Sequence, residues 1–299
     1  MRKLYTLFIL LSAGDLFAQH IPFRLTEHNN IAIQAVLNGR DTVQLMFHTA
    51  ASELTLTEEA VQKTRSLQFT GSADSVKSWG GDAHSSRISE HNTLQIGRVL
   101  YKDIRIAENR NSGPGTDGKF GPDLFTGKVI GIDFDKGRLL VRSRLPHNIR
   151  RYDKIPLRVQ QDMLFMEAGC IAGTDTLRHS FLVHSGYGGG ILFNDTFAEE
   201  NRLGEKLPVT GEKELRDSFG NVIKTKKALL PLLQIGRTAL PNVQAGFFEG
   251  AVGRQKMSVL GGDVLKQFHI ILDAERRFIY LRPNRRSQQS QAPQLSPLR

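Results

Sequence analysis

Short apolar runs alternate with polar residues along most of the chain. The runs IAIQAVL, TVQLMF, RLLVRS and FIYLRP are bounded by Gly, Asn, Asp or Pro. Alternation with a period of two is typical of β-strands that bury one face, and Gly and Asn favour the turns between strands. The pattern predicts a mostly β protein. Only short helices are expected, after Asp123 and Asp263, each of which suits the N-cap position.

The pattern occurs twice. The word LQIGR is found at 94–98 and again at 233–237, an offset of 139 residues. Three more landmarks recur in the same order at nearly the same offset: a strand ending in His-Thr or His-Ser, an apolar-Gly-x-Asp word, and an Asp within a strand. The landmarks are marked by His48 and His184, by Gly121 and Gly261, and by Asp133 and Asp273. Ordered landmarks at a near-constant offset indicate an internal duplication.

The duplication predicts two β lobes with a connection between them. We expect the N-terminal lobe at 19–145, the C-terminal lobe at 157–284, and a polar interlobe linker at 146–156, which begins and ends with proline. Proline and polar residues between two periodic segments are typical of a linker. After Pro283 the composition is too polar to form a core, which predicts a disordered tail at 285–299.

The N-terminus has the layout of a secretory signal peptide. Arg2 and Lys3 precede the apolar run LYTLFILLSA, and the small residue Ala18 follows. Residues 1–18 are therefore expected to be removed, and the mature chain to be exported, either periplasmic or extracellular. The apolar run is shorter than the roughly 20 residues of a membrane-spanning helix, so no membrane span is expected.

Charge and cysteine content narrow the classes of partner. The formal net charge is +10, with basic residues concentrated near mid-chain and at the end. They come without interleaved aromatic residues or a nucleic-acid motif, so nucleic acid is not expected as a partner.

The single cysteine, Cys170, excludes an internal disulfide and lies in an apolar run, which predicts a buried thiol. We expect a monomer without a cofactor.

A duplicated β lobe with an apolar strand, a turn, an aromatic-tipped hairpin and a later apolar-apolar-Gly word resembles the bilobal aspartic peptidases. The likeness is greatest to their exported, retropepsin-like bacterial branch and runs from about Ile21 to Pro283. It implies a pepsin-like fold, one Asp-Thr/Ser-Gly turn from each lobe, and hairpin flaps that close over a bound peptide. The turn positions hold Thr49, Ala50, Ser52, Ser185 and Gly186, and all of these except Ala50 match the family. The matching flap residues are Trp79, Gly80, Gly81, Phe219 and Gly220.

Both catalytic Asp positions of that family are held by histidine here, His48 and His184. Two close carboxylates share one proton, which lets one act as base and the other as acid. A neutral imidazole instead offers one donor and one acceptor on opposite sides of the ring. Ala50 also stands where the family has Gly. The sequence therefore predicts an inactive homologue whose interlobe cleft binds an extended peptide or protein segment.

Two alternatives stay open from the sequence. His48 and His184 can act as the acid and base of a peptidase or other hydrolase, because histidines divide these roles near neutral pH. They can also be two ligands of a transition metal, with His84 as the third, since a metal site needs at least three protein ligands. Asp123 and Asp263 form a second symmetric pair, which the resemblance places away from the cleft in a structural role.

Overall fold

The computed structural model describes residues 18–76, 84–110, 113, 115–216, 222–248 and 255–287. The predicted signal peptide up to residue 17 and the tail beyond 287 lie outside this part of the chain. The same holds for the flap residues Trp79, Gly80, Gly81, Phe219 and Gly220. In the described ranges, no helix is long and apolar enough to cross a membrane.

The N-terminal half is built almost entirely of strands. They are β1 (Gln19–Pro22), β2 (Arg24–Leu25), β3 (Ile31–Leu37), β4 (Asp41–Phe47), β5 (Leu54–Thr57), β6 (Gly71–Val76), β7 (His84–Ile96), β8 (Val99–Asn109), β9 (Gly118–Phe120), β10 (Val129–Asp133) and β11 (Arg138–Arg142). One sheet has the order β2-β3-β4-β9-β5-β8-β7-β6. Strand β3 pairs with both β4 and β7, so the sheet folds back around a core that includes Leu45 and Phe47.

The C-terminal half repeats this arrangement. Its strands are β12 (Asp153–Pro156), β13 (Arg158–Gln160), β14 (Met163–Ala172), β15 (Asp175–Val183), β16 (Ile191–Leu192), β17 (Val209–Arg216), β18 (Val222–Ile235), β19 (Thr238–Phe247), β20 (Ser258–Leu260), β21 (Phe268–Leu272) and β22 (Phe278–Pro283). The sheet order β13-β14-β15-β20-β16-β19-β18-β17 matches that of the first lobe strand for strand. The extra pairing of β14 with β18 matches that of β3 with β7.

A third sheet joins the two halves. Its order is β1-β11-β10-β21-β22-β12, three strands from each half, and β10 pairs with β21 at its centre. The segment 146–156, expected to be a polar linker, contains the 3-10 helix His147–Arg151 and then β12, an edge strand of this sheet. The described chain continues to Ser287, which is buried, three residues into the segment expected to be a tail. In this third sheet, the backbone hydrogen bonds between β10 and β21 connect the two lobes directly.

The helices are short. They are α1 (Glu58–Lys63), α2 (Asp195–Glu200), α3 (Leu203–Lys206), α4 (Gly262–Leu265) and the 3-10 helix Pro122–Phe125. The expectation that Asp123 and Asp263 are N-caps was wrong by two residues, because Gly121 and Gly261 hold the cap positions. A Cβ added at Gly121 would lie 1.7 Å from the Ala51 carbonyl oxygen. The Gly of each repeated word is thus needed for close backbone packing against a neighbouring turn.

The repeated word LQIGR forms a tight hairpin in each lobe. It connects β7 to β8 in the first and β18 to β19 in the second. Gly97 and Gly236 have φ values of +59° and +57°, a backbone conformation that favours glycine. The duplicated word therefore reflects a duplicated turn, and the prediction of a mostly β, two-lobed fold is confirmed.

Candidate functional site

Two equivalent turns meet between the lobes. The N-terminal turn (48–52) follows β4 and the C-terminal turn (184–188) follows β15. The His48 amide donates to the Phe120 carbonyl and the His184 amide to the Leu260 carbonyl, both at 2.9 Å. The imidazoles face each other with ring centroids 4.5 Å apart and planes inclined by 62°. The structure thus brings together the two histidines, called here the histidine pair.

The hydroxyl residues beside the histidine pair lock the two turns together. The Thr49 amide donates to Ser185 Oγ at 3.0 Å, and the Ser185 amide donates to Thr49 Oγ1 at 3.0 Å. Each hydroxyl then donates across the lobe interface, Thr49 to the Val183 carbonyl at 2.6 Å and Ser185 to the Phe47 carbonyl at 2.8 Å. All four bonds are buried, so they fix the histidine pair in position.

Backbone amides determine which ring nitrogen of each histidine carries the proton. The Ala50 amide donates to His48 Nδ1 at 3.1 Å, and the Tyr187 amide donates to His184 Nδ1 at 2.9 Å. A nitrogen that accepts a hydrogen bond is unprotonated, so the neutral rings carry their proton on Nε2. Within the described residues neither Nε2 has a hydrogen-bond partner. Each ring therefore presents an N–H donor.

Burial keeps both rings neutral. His48 is 8% exposed, and burial, with smaller contributions from His184 and Lys119, holds its pKa well below the ordinary value. Burial and Lys119 lower the pKa of His184 to about 4. The amide that donates to each Nδ1 acts in the same direction, because protonation of that nitrogen would set two donors against each other. At neutral pH the pair thus carries no charge.

Lys119 lies beside the histidine pair on the same face of the N-terminal sheet. On β9 it pairs with Met46 of β4, and Met46 and His48 are two residues apart, so their side chains project to one side. On its other side, Lys119 pairs with Thr55 of β5. Burial lowers the pKa of Lys119, and its ammonium group lowers the pKa of both histidines. Lys119, which is half-buried, is therefore a partly desolvated cation of the site.

A loop from the N-terminal lobe holds the C-terminal turn. Asn30, which is 1% exposed, donates through Nδ2 to the carbonyls of Ser185 and Gly186, both at 3.1 Å. Its neighbour Asn29 donates to the Gly188 carbonyl at 2.9 Å. These bonds fix the backbone under His184 from the opposite lobe.

The two turns differ at the residue two places after the histidine. A Cβ added at Gly186 would lie 2.3 Å from both Cδ2 and Nε2 of His48, so only glycine fits against that ring. Ala50 instead packs beside a buried apolar cluster of the C-terminal lobe that includes Leu182 and Val259. Ser52, two residues further on, is exposed.

The stems of both predicted flaps are present. Strand β6 pairs antiparallel with β7, and β17 with β18. The aromatic and glycine residues expected at their tips lie outside the described residues. His84, the third ligand of the metal alternative, begins β7 opposite Val76, and its side chain also lies outside the described part. The flap residues and His84 stay predictions.

Among the described residues, other reactive groups make no hydrogen bond or ion pair with the histidine pair. Asp123, in the 3-10 helix after Gly121, has its pKa raised to about 6 by burial. Cys170 is 1% exposed on β14, and burial raises the pKa of its thiol to about 12, which makes it a poor nucleophile. On the shared sheet, His269 lies 3.4 Å from Asp133 and 3.2 Å from Asp135.

Comparison with known proteins supports the fold alone. No protein-family model matches the chain, and no curated protein matches it. Among solved structures, the chain is similar to the crystal structure of aspartic proteinase from Irpex lacteus, with a TM-score of 0.61 and 12% sequence identity. The match covers 92% of this chain and 100% of that one. The fold is therefore the two-lobed fold of the pepsin-like aspartic proteinases.

Lys119 and Asn30 were not predicted from the sequence. The word around Gly121 reads Lys119-Phe120-Gly121, where the second copy reads Val259-Leu260-Gly261. A charged residue in one copy of an otherwise apolar word is a signal that alignment of the two repeats would have found. Asn30 has no such signal, because its partners are backbone carbonyls of the other lobe.

Proposed function

We propose that this protein is an exported, catalytically inactive homologue of the aspartic peptidases that binds an extended peptide between its lobes. His48 and His184 take the places of the two catalytic aspartates. The observation that carries the proposal is the pair of bonds from the Ala50 and Tyr187 amides to the two Nδ1 atoms, because they leave each ring with an N–H donor at Nε2 and no free acceptor.

Peptide hydrolysis of the family type needs a group that accepts a proton from water. On a neutral imidazole only the unprotonated nitrogen can do so, and in both histidines this nitrogen already accepts a backbone amide. The low pKa of both rings also leaves no charged imidazole to act as acid near pH 7. These features argue against a His48/His184 acid–base pair.

The same tautomers argue against a metal centre. A metal takes the lone pair of an unprotonated ring nitrogen. Ligation through Nε2 would move the proton to Nδ1, where it would meet the Ala50 or Tyr187 amide proton, and would break a 3.1 Å or 2.9 Å bond. Lys119 adds a positive charge near any cation bound there.

Peptide binding fits the parts of the cleft that the structure retains. Paired β-strands lead toward each flap, and exposed strand edges bind extended peptides through backbone hydrogen bonds. The interlocked Thr49 and Ser185 keep the floor of the cleft rigid, which lowers the ordering cost of binding.

The test combines a binding screen and a cleavage screen on the mature chain from Gln19 onward. Fluorescent peptide pools are examined by anisotropy for binding and by mass spectrometry for cleavage between pH 3 and pH 8, with and without added zinc. We expect binding without cleavage and no effect of zinc. Cleavage that disappears in folded His48→Ala and in folded His184→Ala would show a histidine-pair enzyme instead.

A further inference from the structure

We propose that the floor of the cleft is a carboxylate-binding site, in which His48 and His184 donate through Nε2 and Lys119 supplies the positive charge. The site deepens the proposed peptide-binding function and rests on it. The ligand class is a peptide that carries a carboxylate, either at its C-terminus or on an Asp or Glu side chain.

The floor of the cleft offers hydrogen-bond donors. The two imidazole Nε2 atoms are N–H donors, and their ring centroids lie 4.5 Å apart. A carboxylate has two acceptor oxygens and no donor, so it can accept one bond from each ring. A ligand hydroxyl or amide N–H would place a second donor there without an acceptor to receive it.

The floor of the cleft also carries a positive charge. Lys119 projects from the same face as His48, and within the described residues no Asp or Glu forms an ion pair with it. A desolvated ammonium group without a counter-ion is unfavourable, and an anionic ligand supplies the missing partner. Charge is what separates a carboxylate from a neutral peptide carbonyl, which could also accept the two Nε2–H bonds.

A buried hydroxyl group lies next to Lys119. Thr55 pairs with Lys119 across β5 and β9, is 7% exposed, and its Oγ1 has no hydrogen-bond partner among the described residues. Buried polar atoms without partners are rare in folded proteins, and each calls for an explanation such as a ligand. The hydroxyl lies on the face that Lys119 shares with the histidine pair.

The experiment uses four versions of one peptide taken from the binding screen, with its affinity measured by calorimetry on the mature chain. The versions have a free C-terminus, an amidated C-terminus, an amidated C-terminus with one internal Glu, and the same with Gln. We expect one of two results: the peptide with a free C-terminus binds about tenfold more tightly than the amidated peptide, or the Glu peptide binds about tenfold more tightly than the Gln peptide. A difference of this size is typical of a charge-assisted hydrogen bond. The first result identifies a terminal carboxylate and the second a side chain.

Variants assign the preference to the floor of the cleft. Lys119→Met should remove it, so that the charged and neutral versions of the peptide bind with equal affinity. Lys102→Met, which removes the same charge from an exposed position on β8, should keep it. Equal affinity of charged and neutral peptides for the unmodified protein would overturn the carboxylate site, as would a preference that Lys119→Met leaves intact.

A small probe separates failure of the carboxylate site from failure of peptide binding. Acetate is titrated into the mature chain, and the ring signals of the histidine pair are followed by NMR at constant pH and ionic strength. Saturable shifts that Lys119→Met abolishes would support the site even if no peptide binds. Absence of such shifts would count against it even if neutral peptides bind well.

Discussion

The two lobes share strand order and turn geometry but differ in the side chains around their histidines. Beside each turn, three paired strand residues lie on one face of the sheet, and each residue in one lobe has an equivalent in the other. In the N-terminal lobe they are Met46, Lys119 and Thr55. In the C-terminal lobe they are Leu182, Val259 and Leu192. The C-terminal set is buried and wholly apolar, whereas the N-terminal set contains a cation and a hydroxyl that has no hydrogen-bond partner in the described part of the chain.

This difference shows which part of the duplicated scaffold is structural and which is specialised. The interlocked Thr49 and Ser185 are equivalent in the two halves and hold the lobes together. The position of Lys119 is held in the second half by Val259, which belongs to a buried apolar cluster and carries no charge. A charge placed on one side of a near-symmetric cleft is best explained by a ligand that is itself asymmetric.

The largest expected effect is at the glycine of the C-terminal turn. Gly186→Ala places a methyl group 2.3 Å from the His48 ring, and should lower the free energy of unfolding by about 3 kcal/mol. The matched change in the other turn, Ala50→Gly, removes one partly buried methyl and should cost only about 1 kcal/mol. Urea unfolding measures both values. Equal costs would mean that the two turns are packed alike.

Acid should destabilise the fold through the histidine pair. The pKa of His184 is lowered to about 4, so the unfolded chain binds protons at a higher pH than the folded one. Stability is then present above about 6.5 and is lost as the pH falls toward 4, by roughly 2 kcal/mol at pH 5 for this residue. Burial also lowers the pKa of His179 to about 4. We therefore expect the unfolding free energy, measured with urea, to fall less between pH 7 and pH 5 in the double variant His48→Asn/His184→Asn than in the unmodified protein. In His147→Asn, which changes an exposed histidine, it should fall as much as in the unmodified protein.

A moderate effect is expected from the interlock between the lobes. Thr49→Val keeps the shape of the side chain but leaves the buried Ser185 amide without its acceptor, which should cost about 2 kcal/mol. Ser185→Ala should cost a similar amount, since the two bonds are reciprocal. The double variant should cost less than the sum, because each change already disrupts the same network. Strict additivity in urea unfolding would contradict the interlock.

The smallest effect is a gain. Lys119→Val gives the N-terminal lobe the residue of its counterpart and removes a desolvated charge, so the ligand-free protein should become more stable by about 1 kcal/mol. The gain should grow as the pH falls from 10.5 through the lowered pKa of this lysine, because the folded state resists its protonation. A loss of stability in thermal and urea unfolding would show that Lys119 has a structural partner.

The duplication made the architecture and the meeting of His48 and His184 predictable from sequence. Equivalent turns at the ends of equivalent strands must meet where the lobes pack, and their ring centroids are 4.5 Å apart. The helix caps were misplaced because Gly121 serves backbone packing, which a propensity rule does not detect. The tautomers were beyond sequence reasoning, since they depend on which amide reaches each Nδ1.

The central claim is that the histidine pair is neutral and presents two Nε2–H donors. Two-bond ¹H–¹⁵N correlation spectra of the imidazoles at pH 7 measure this directly, with His48→Asn and His184→Asn used for assignment. We predict a protonated Nε2 and an unprotonated Nδ1 in both rings. A proton on Nδ1 in either ring, or a charged imidazolium at pH 7, would contradict the account.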